Sequence, residues 1–359
     1  MRPVENHYVT RFEAFRPSSY RVGGKKVGFG IDLDGCIDMG MEKHCLAFGV
    51  ATCIHYGMQP IQNVALKAWM YANFYSLSRG ITRFKALYLW ADIVRETRAA
   101  RSLGLTVPQF KYLRRWTEIT SAFSPEALRS YLDRGDLSAV LDAGDDPEDA
   151  RAELEDVLAW SDAVNARVPE ATAHMTAFPN AVRFIQDAYQ QGVDIAIVSG
   201  TPEDHVKHQV EAYGISGCLE ALWAQQAGKK HHALVTMMVG AVSDREIQEA
   251  IEQERPLLES RPAQYDVLVM VGDAPQDNRE RIRANLALSG REDEPIRMFL
   301  IPVEEENDAW GELHKNLGAI LDGSWSREDE TRRIAAGLRK LDVEWVETPV
   351  YYFKQKASS

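Results

Sequence analysis

Val27-Gly28-Phe29-Gly30-Ile31-Asp32-Leu33-Asp34-Gly35 is the stretch from which the rest of the chain can be read. A short apolar run ends abruptly in two carboxylates one residue apart, and a glycine follows. Such a run is consistent with a buried strand of a parallel sheet. Open α/β sheets bind their ligands just beyond the carboxyl ends of their strands. Period-two alternation places Asp32 and Asp34 on one side for as long as strand geometry lasts. Two carboxylates that close repel each other unless a cation lies between them or one keeps a proton. Either arrangement suits catalysis: a hard metal, or a nucleophile beside an acid/base.

Two later apolar runs end in the same manner. Ile195–Val198 runs into Ser199-Gly200-Thr201, and Val267–Val271 runs into Gly272-Asp273. Asp277 stands four residues after Asp273, and Gly228-Lys229-Lys230 offers an ammonium between the two runs. Strands are expected at Val193–Val198, Leu219–Ala224, Val267–Val271 and Ile296–Ile301. They alternate with helices at Pro179–Gln191, Pro202–Tyr213, His231–Ala250 and Asn278–Leu288. Alternation of this kind predicts an α/β fold with a doubly wound parallel sheet.

The first strand is cut off from its partners by about 135 residues that read almost wholly as helix. Helical spacing covers Glu42–Tyr56, Ile61–Arg79, Ile81–Ala99, Gln109–Ile119 and Glu148–Val168, with a further start at Ser124-Pro125-Glu126. The expected organisation is a discontinuous α/β core, residues 1–40 and 176–359, and a second, all-helical domain over 41–175. Residues 1–26 form an N-terminal extension with a short helix over Asn6–Phe15. Residues 324–359 form a charged C-terminal tail, with a helix over Arg327–Leu341 and a strand or extended arm over Val343–Phe353.

Composition narrows the function. A chain of 359 residues has room for two domains, and 45% hydrophobic with 26% charged residues is ordinary for a soluble globular protein. The net charge of −12 argues against a general nucleic-acid or membrane-surface binder. Cys36, Cys45, Cys53 and Cys218 are too few and scattered for a disulfide framework or a structural zinc, and they point to a reducing, cytoplasmic setting. No signal peptide is legible at the N-terminus, and no run approaches the roughly 18 apolar residues of a membrane span.

Taken in order, the motifs resemble those of the haloacid dehalogenase superfamily: Asp-x-Asp-Gly at 32–35, a strand ending at Ser199, a lone lysine, and Gly-Asp-x-x-x-Asp at 272–277. The resemblance spans the core. It implies a Rossmann-like sheet with a type 1 helical cap inserted after the first strand, here 41–175. It also implies a magnesium-dependent phosphoric monoester hydrolase acting on a small phosphorylated substrate. Asp32 would be the nucleophile and form an aspartyl-phosphate. Asp34 would protonate the leaving oxygen and then take a proton from water. Ser199 and the Gly200 amide would hold phosphate oxygens, and Lys229 or Lys230 would offset charge, Lys229 being favoured by its spacing to the following helix. Asp273 would hold Mg2+ with Asp32 and the Asp34 carbonyl, and Asp277 would add a carboxylate.

An acid at residue 34 favours a phosphatase or a phosphomutase, because dehalogenases and phosphonatases of this superfamily lack one and the ion-pumping members carry Thr. A phosphomutase using the same residues is therefore the alternative, and a catalytically idle phosphate-ligand-binding module is the second. Cys36 stands where many relatives have Thr, and reads as a small buried hydrophobe. Trp69, Tyr71, Phe74, Tyr75, Arg79, Arg83 and Lys85 could face a leaving group but more simply make helical core. Asp38, Glu42 and His44 are candidates for the site entrance. His231 and His232 lack the carboxylate pattern of a metal site, and Gly28-Phe29-Gly30 lacks the third glycine and helix of a nucleotide fingerprint.

Overall fold

The computed structural model describes residues 2, 7–120, 122–348 and 354–355. Strands β1 (Val27–Ile31), β2 (Asp194–Val198), β3 (Ala221–Trp223), β4 (Val267–Gly272) and β5 (Arg297–Leu300) form one sheet, all parallel, in the order β3-β2-β1-β4-β5. Almost every strand residue is buried. This is why the runs read as continuously apolar rather than alternating.

Contacts divide the chain into two compact units, Met1–Gly40 with Thr176–Lys340, and Met41–Met175 with Leu341–Ser359. The first is the α/β unit. Its helices are α1 (Pro179–Gln190), α2 (Glu203–Ala212), α3 (Lys230–Val239), α4 (Asp244–Glu252), α5 (Pro275–Ser289), α6 (Glu306–Asp322) and α7 (Arg327–Leu341). Period two sorts the sheet onto two cores. Val27, Phe29, Ile31, Ile197 and Val271 pack with α1, α2 and α6, whereas Ala196, Val198, Leu268 and Met270 pack with α3, α4 and α5.

On the second face β1 presents only Gly28 and Gly30. A Cβ on Gly30 would stand 3.0 Å from Leu234 Cδ2, and one on Gly28 2.9 Å from the Tyr265 ring. Gly30 thus lets α3 settle directly against the central strand, and Gly28 makes room for Tyr265.

Three expectations change here. The stretch His231–Ala250 is two helices: Gly240 stops α3 at φ +83, and Ser243 opens α4 in a reciprocal capping box with Glu246. The helix expected over Asn6–Phe15 reduces to one turn of 3-10 helix, Phe12–Ala14, and Asn6 lies outside the described residues. Val9 instead pairs in parallel with Ala221: its N–H donates to Glu220 O (3.1 Å), and its carbonyl accepts from Leu222 N–H (2.9 Å). Phe12 and Phe15 then pack on Trp223. The extension thereby covers the exposed edge of β3.

The third change concerns the tail. The sequence reading left it with the α/β unit, but Leu341–Ser359 groups with the helical unit. Lys67, wholly covered, donates to Val346 O and Thr348 Oγ1, each at 2.8 Å. Tyr71 OH donates to Val343 O, and the Glu347 carboxylate accepts from the N–H groups of Arg98 and Ala99 at a helix start. A buried ammonium needs acceptors, and the tail provides them. Val343–Glu344 pairs antiparallel with Lys354–Gln355; residues 349–353, where the arm was also expected, lie outside the described residues.

The rest of the second unit is all helical. Gly40–Lys43, a π-helical stretch His44–Gly49 and Val50–His55 follow one another, then Gln62–Phe74, Arg83–Glu96, Arg98–Ser102, Lys111–Ile119, Pro125–Asp133 and Pro147–Thr172. Ser124 caps its helix through Ala127 N–H, with Pro125 at the first position. The core holds Trp69, Trp90, Trp116 and Trp160, all buried. Among the described residues no helix is long and apolar enough to cross a membrane.

Candidate active site

Sheet register brings the chemistry together. Ile31 lies level with Ile197 on β2 and with Val271 on β4, so Asp32, Ser199 and Asp273 leave three adjacent strands at one rim. The last backbone bonds of the ladder are Asp32 N–H to Val271 O (2.9 Å) and Ser199 N–H to Trp223 O (2.8 Å). The chain moves outward from β1 toward β2 on one side and toward β4 on the other. The rim beside β1 is therefore a topological switch point, where open sheets bind ligands.

Lys230 Nζ stands 2.6 Å from Asp32 Oδ2 and 2.7 Å from Asp277 Oδ1. Lys229, favoured from spacing, is exposed and precedes α3 in extended conformation. Helix phase explains the correction. Leu234 rests on Gly30, and the residue one turn earlier on that face is Lys230, not Lys229.

Asp277 does two jobs with its two oxygens. Oδ2 accepts the N–H groups of Asp273 (3.1 Å) and Ala274 (3.0 Å), closing the first turn of α5, while Oδ1 meets Lys230. Asp277 can thus cap α5 with one oxygen and still face the acid cluster with the other. Gly272 makes the approach possible: a Cβ there would fall 2.5 Å from the Asp277 carboxyl carbon. One oxygen from each of Asp32, Asp273 and Asp277 lies within 4.8 Å of the others, and all three residues are buried.

The charges explain what this cluster is built for. Burial pushes the Asp32 carboxyl well above the usual carboxylate range; Lys230 opposes that, and Asp277 and Asp273 add to it. Burial works against the Lys230 ammonium too, but Asp277 and Asp32 outweigh it and hold its pKa above the ordinary lysine value. With all three carboxyls ionised, one ammonium would leave a buried excess of two negative charges. A divalent cation with oxygen preference matches that excess in charge and in donor type.

Opposite this cluster lies the loop after β2. Thr201 N–H donates to Ser199 Oγ at 3.1 Å, and Thr201 Oγ1 donates to Asp34 Oδ2. Ser199 and Thr201 are buried, whereas Gly200 is exposed, and a Cβ on Gly200 would meet nothing within 4 Å. A serine hydroxyl and an open glycine thus stand beside the acids, just before the start of α2. The link of Thr201 to Asp34 depends on strand register, which short-range pattern does not show.

The other candidates resolve simply. Asp38 is buried and accepts from Gly35 N–H (3.2 Å), Gln209 Nε2 (2.9 Å) and Tyr213 OH (2.8 Å), so it anchors the loop after β1 rather than lining an entrance. Glu42 is exposed, and His44 stacks on Phe48 inside the helical unit. Trp69 and Phe74 are buried there too, Arg79 lies beside Phe74, and Arg83 donates to Ser161 and Asn165. His231 pairs with Glu280, and His232 with Val242 O and Asp244; neither joins the acid cluster. Cys36 is a buried thiol that burial holds well above its ordinary pKa, and Asp273, Asp32 and Asp277 push it the same way.

No protein-family profile matches the chain, and no curated protein does. Among solved structures it is similar to an archaeal β-phosphoglucomutase from Pyrococcus sp. strain ST 04 (TM-score 0.41, 15% identity, 83% of this chain and 99% of that one). It is also similar to a putative phosphoglycolate phosphatase from Lactobacillus delbrueckii subsp. bulgaricus (0.36, 13%, 76% and 86%). A third is a haloacid dehalogenase-like hydrolase from Streptococcus pneumoniae (0.31, 12%, 79% and 90%).

Proposed function

We propose that this chain is a phosphohydrolase of the haloacid dehalogenase superfamily that cleaves a small phosphorylated metabolite, with Asp32 as nucleophile and Mg2+ as cofactor. The observation that carries the reading is the buried cluster of Asp32, Asp273 and Asp277, bridged by Lys230, at the rim where Ser199 and Asp34 also emerge.

In this reading Asp32 attacks phosphorus, the bond to the leaving oxygen breaks, and Asp34 gives that oxygen its proton. Water then attacks the aspartyl-phosphate, Asp34 takes its proton, and the bond between Asp32 and phosphorus breaks to release phosphate. Lys230 neutralises negative charge beside Asp32 and the transferring group, and Ser199 with the Gly200 amide orients phosphoryl oxygens. Asp32, Asp273 and Asp277, with the Asp34 carbonyl, would hold Mg2+. Bound there, the cation would let one anion approach another by screening the charge between them. The helical unit takes the part of the cap, where substrate selection is expected.

The test is Asp32→Asn, with phosphate release followed on aryl phosphates and a panel of phosphorylated metabolites under magnesium. Turnover should vanish in the variant and in chelator-treated wild type. Persistent release from Asp32→Asn would remove the nucleophile assignment. An isomerised sugar phosphate in place of free phosphate would favour the mutase alternative.

A further inference from the structure

We infer that Thr201 is a positioning residue for the acid/base Asp34, an inference that rests on the phosphohydrolase reading. Thr201 is held on three sides. Its N–H donates to Ser199 Oγ (3.1 Å), its carbonyl accepts from Gln225 N–H (2.9 Å), and its hydroxyl donates to Asp34 Oδ2. Two residues along, Glu203 is stapled to the same neighbouring loop by its N–H to Gln226 Oε1 (2.9 Å). The residue is 8% exposed and its side chain is β-branched, so χ1 has few alternatives. A rigid donor therefore meets one oxygen of a carboxyl that has to deliver a proton in a set direction.

Two consequences follow from the donor directions. Because Oδ2 of Asp34 accepts from Thr201, the hydroxyl helps set how the carboxyl is turned toward the leaving oxygen. Because Ser199 Oγ accepts from the Thr201 amide, the serine's own proton is free to be given to a phosphoryl oxygen. One residue thereby orients the proton donor and the phosphate ligand together, and ties the tip of β1 to the tip of β2.

The experiment compares wild type, Thr201→Val and Thr201→Ser on phenyl phosphate and 4-nitrophenyl phosphate with saturating magnesium, reading kcat/KM for each. The phenolate leaving group needs a proton far more than the nitrophenolate does, so a misdirected Asp34 is felt on the first ester. The ratio of kcat/KM for phenyl over 4-nitrophenyl phosphate should fall about tenfold in Thr201→Val, a fraction of what general acid catalysis supplies, and Thr201→Ser should restore most of it. Thermal unfolding checks that Thr201→Val folds, and Thr201→Ser keeps the comparison decisive if it does not: a serine enzyme with the wild-type ratio supports the hydroxyl's role, and one with a collapsed ratio overturns it. An unchanged ratio in folded Thr201→Val, or equal losses on both esters, overturns the inference while leaving an active wild type to uphold the phosphohydrolase reading. A wild type that releases phosphate from neither ester and from no member of the metabolite panel overturns both.

Discussion

Lys230 reaches Asp32 because Leu234, one turn later on α3, lies against Gly30 in the middle of β1. The ammonium is thus aimed by a packing contact between a helix and a strand that has no side chain to keep the helix away. Replacing Lys230 by Met leaves three buried acids without their cation. Removing one partner of a buried ion pair typically costs about 3–5 kcal/mol, so Lys230→Met should be strongly destabilised without metal at neutral pH, and recover in part with Mg2+. Lys229→Met, at an exposed site, should change stability by no more than about 0.5 kcal/mol. Urea unfolding of both variants, with and without magnesium, checks this.

Asp32→Asn should gain stability while losing turnover. Burial raises the folded-state pKa of this acid above its unfolded value. In the window between those two values the unfolded chain has already released a proton that the folded one keeps. Stability therefore falls as pH rises through that window, and the cost is fully present above it. An amide has no such cost. The thermal midpoint of metal-free Asp32→Asn should exceed that of wild type at pH 7, and the gap should close as pH falls toward about 4, the ordinary carboxylate range. A gap independent of pH would mean that Asp32 carries no burial cost.

The strands and the acids were legible because each depends on short-range pattern. Val27–Ile31 and Val267–Gly272 announce themselves as apolar runs, and the acids follow directly in the chain. The lysine was not, because choosing Lys230 over Lys229 requires knowing which face of α3 meets Gly30, a contact across about 200 residues of chain. The tail failed for a related reason. Nothing near Val346 in sequence shows that Lys67 needs its carbonyl. The single helix drawn through Gly240 was a local error, since a glycine followed three residues later by Ser243 and then Glu246 is a stop and a start that periodicity masked.

Gly272→Ala tests the geometry of the acid cluster without touching an acid. The added methyl would fall 2.5 Å from the Asp277 carboxyl carbon. Asp277 must then give up its bonds to the Asp273 and Ala274 N–H groups or its place beside Lys230. Disturbing groups that orient metal ligands typically costs 10–100-fold in affinity. Magnesium titration followed by thermal shift should show a weakening of about tenfold or more in Gly272→Ala. An affinity equal to wild type would place the cation away from Asp277.

Glu280→Gln probes how α3 and α5 are held in step. Glu280 Oε2 accepts from the N–H of His231 (3.2 Å) and lies 2.6 Å from His231 Nδ1, so it ties the helix carrying Lys230 to the helix carrying Asp277. Burial works against the Glu280 charge, but its bonds to His231 outweigh that and hold the carboxyl down at about 2, below its ordinary 4.5. A folded-state pKa below the unfolded one adds stability that is complete above pH 4.5 and drains away as pH falls through about 2. A shift of that size corresponds to roughly 3 kcal/mol as an upper bound, since 1.36 kcal/mol accompanies each unit. Glu280→Gln keeps one acceptor oxygen and loses the charge, so it should cost about 1–3 kcal/mol at pH 6, in line with hydrogen bonds to charged groups. The unfolding free energies of wild type and variant should converge between pH 4.5 and 2. Curves that stay parallel through that window would mean the carboxylate gains nothing from His231, and the coupling of α3 to α5 would then rest on apolar packing alone.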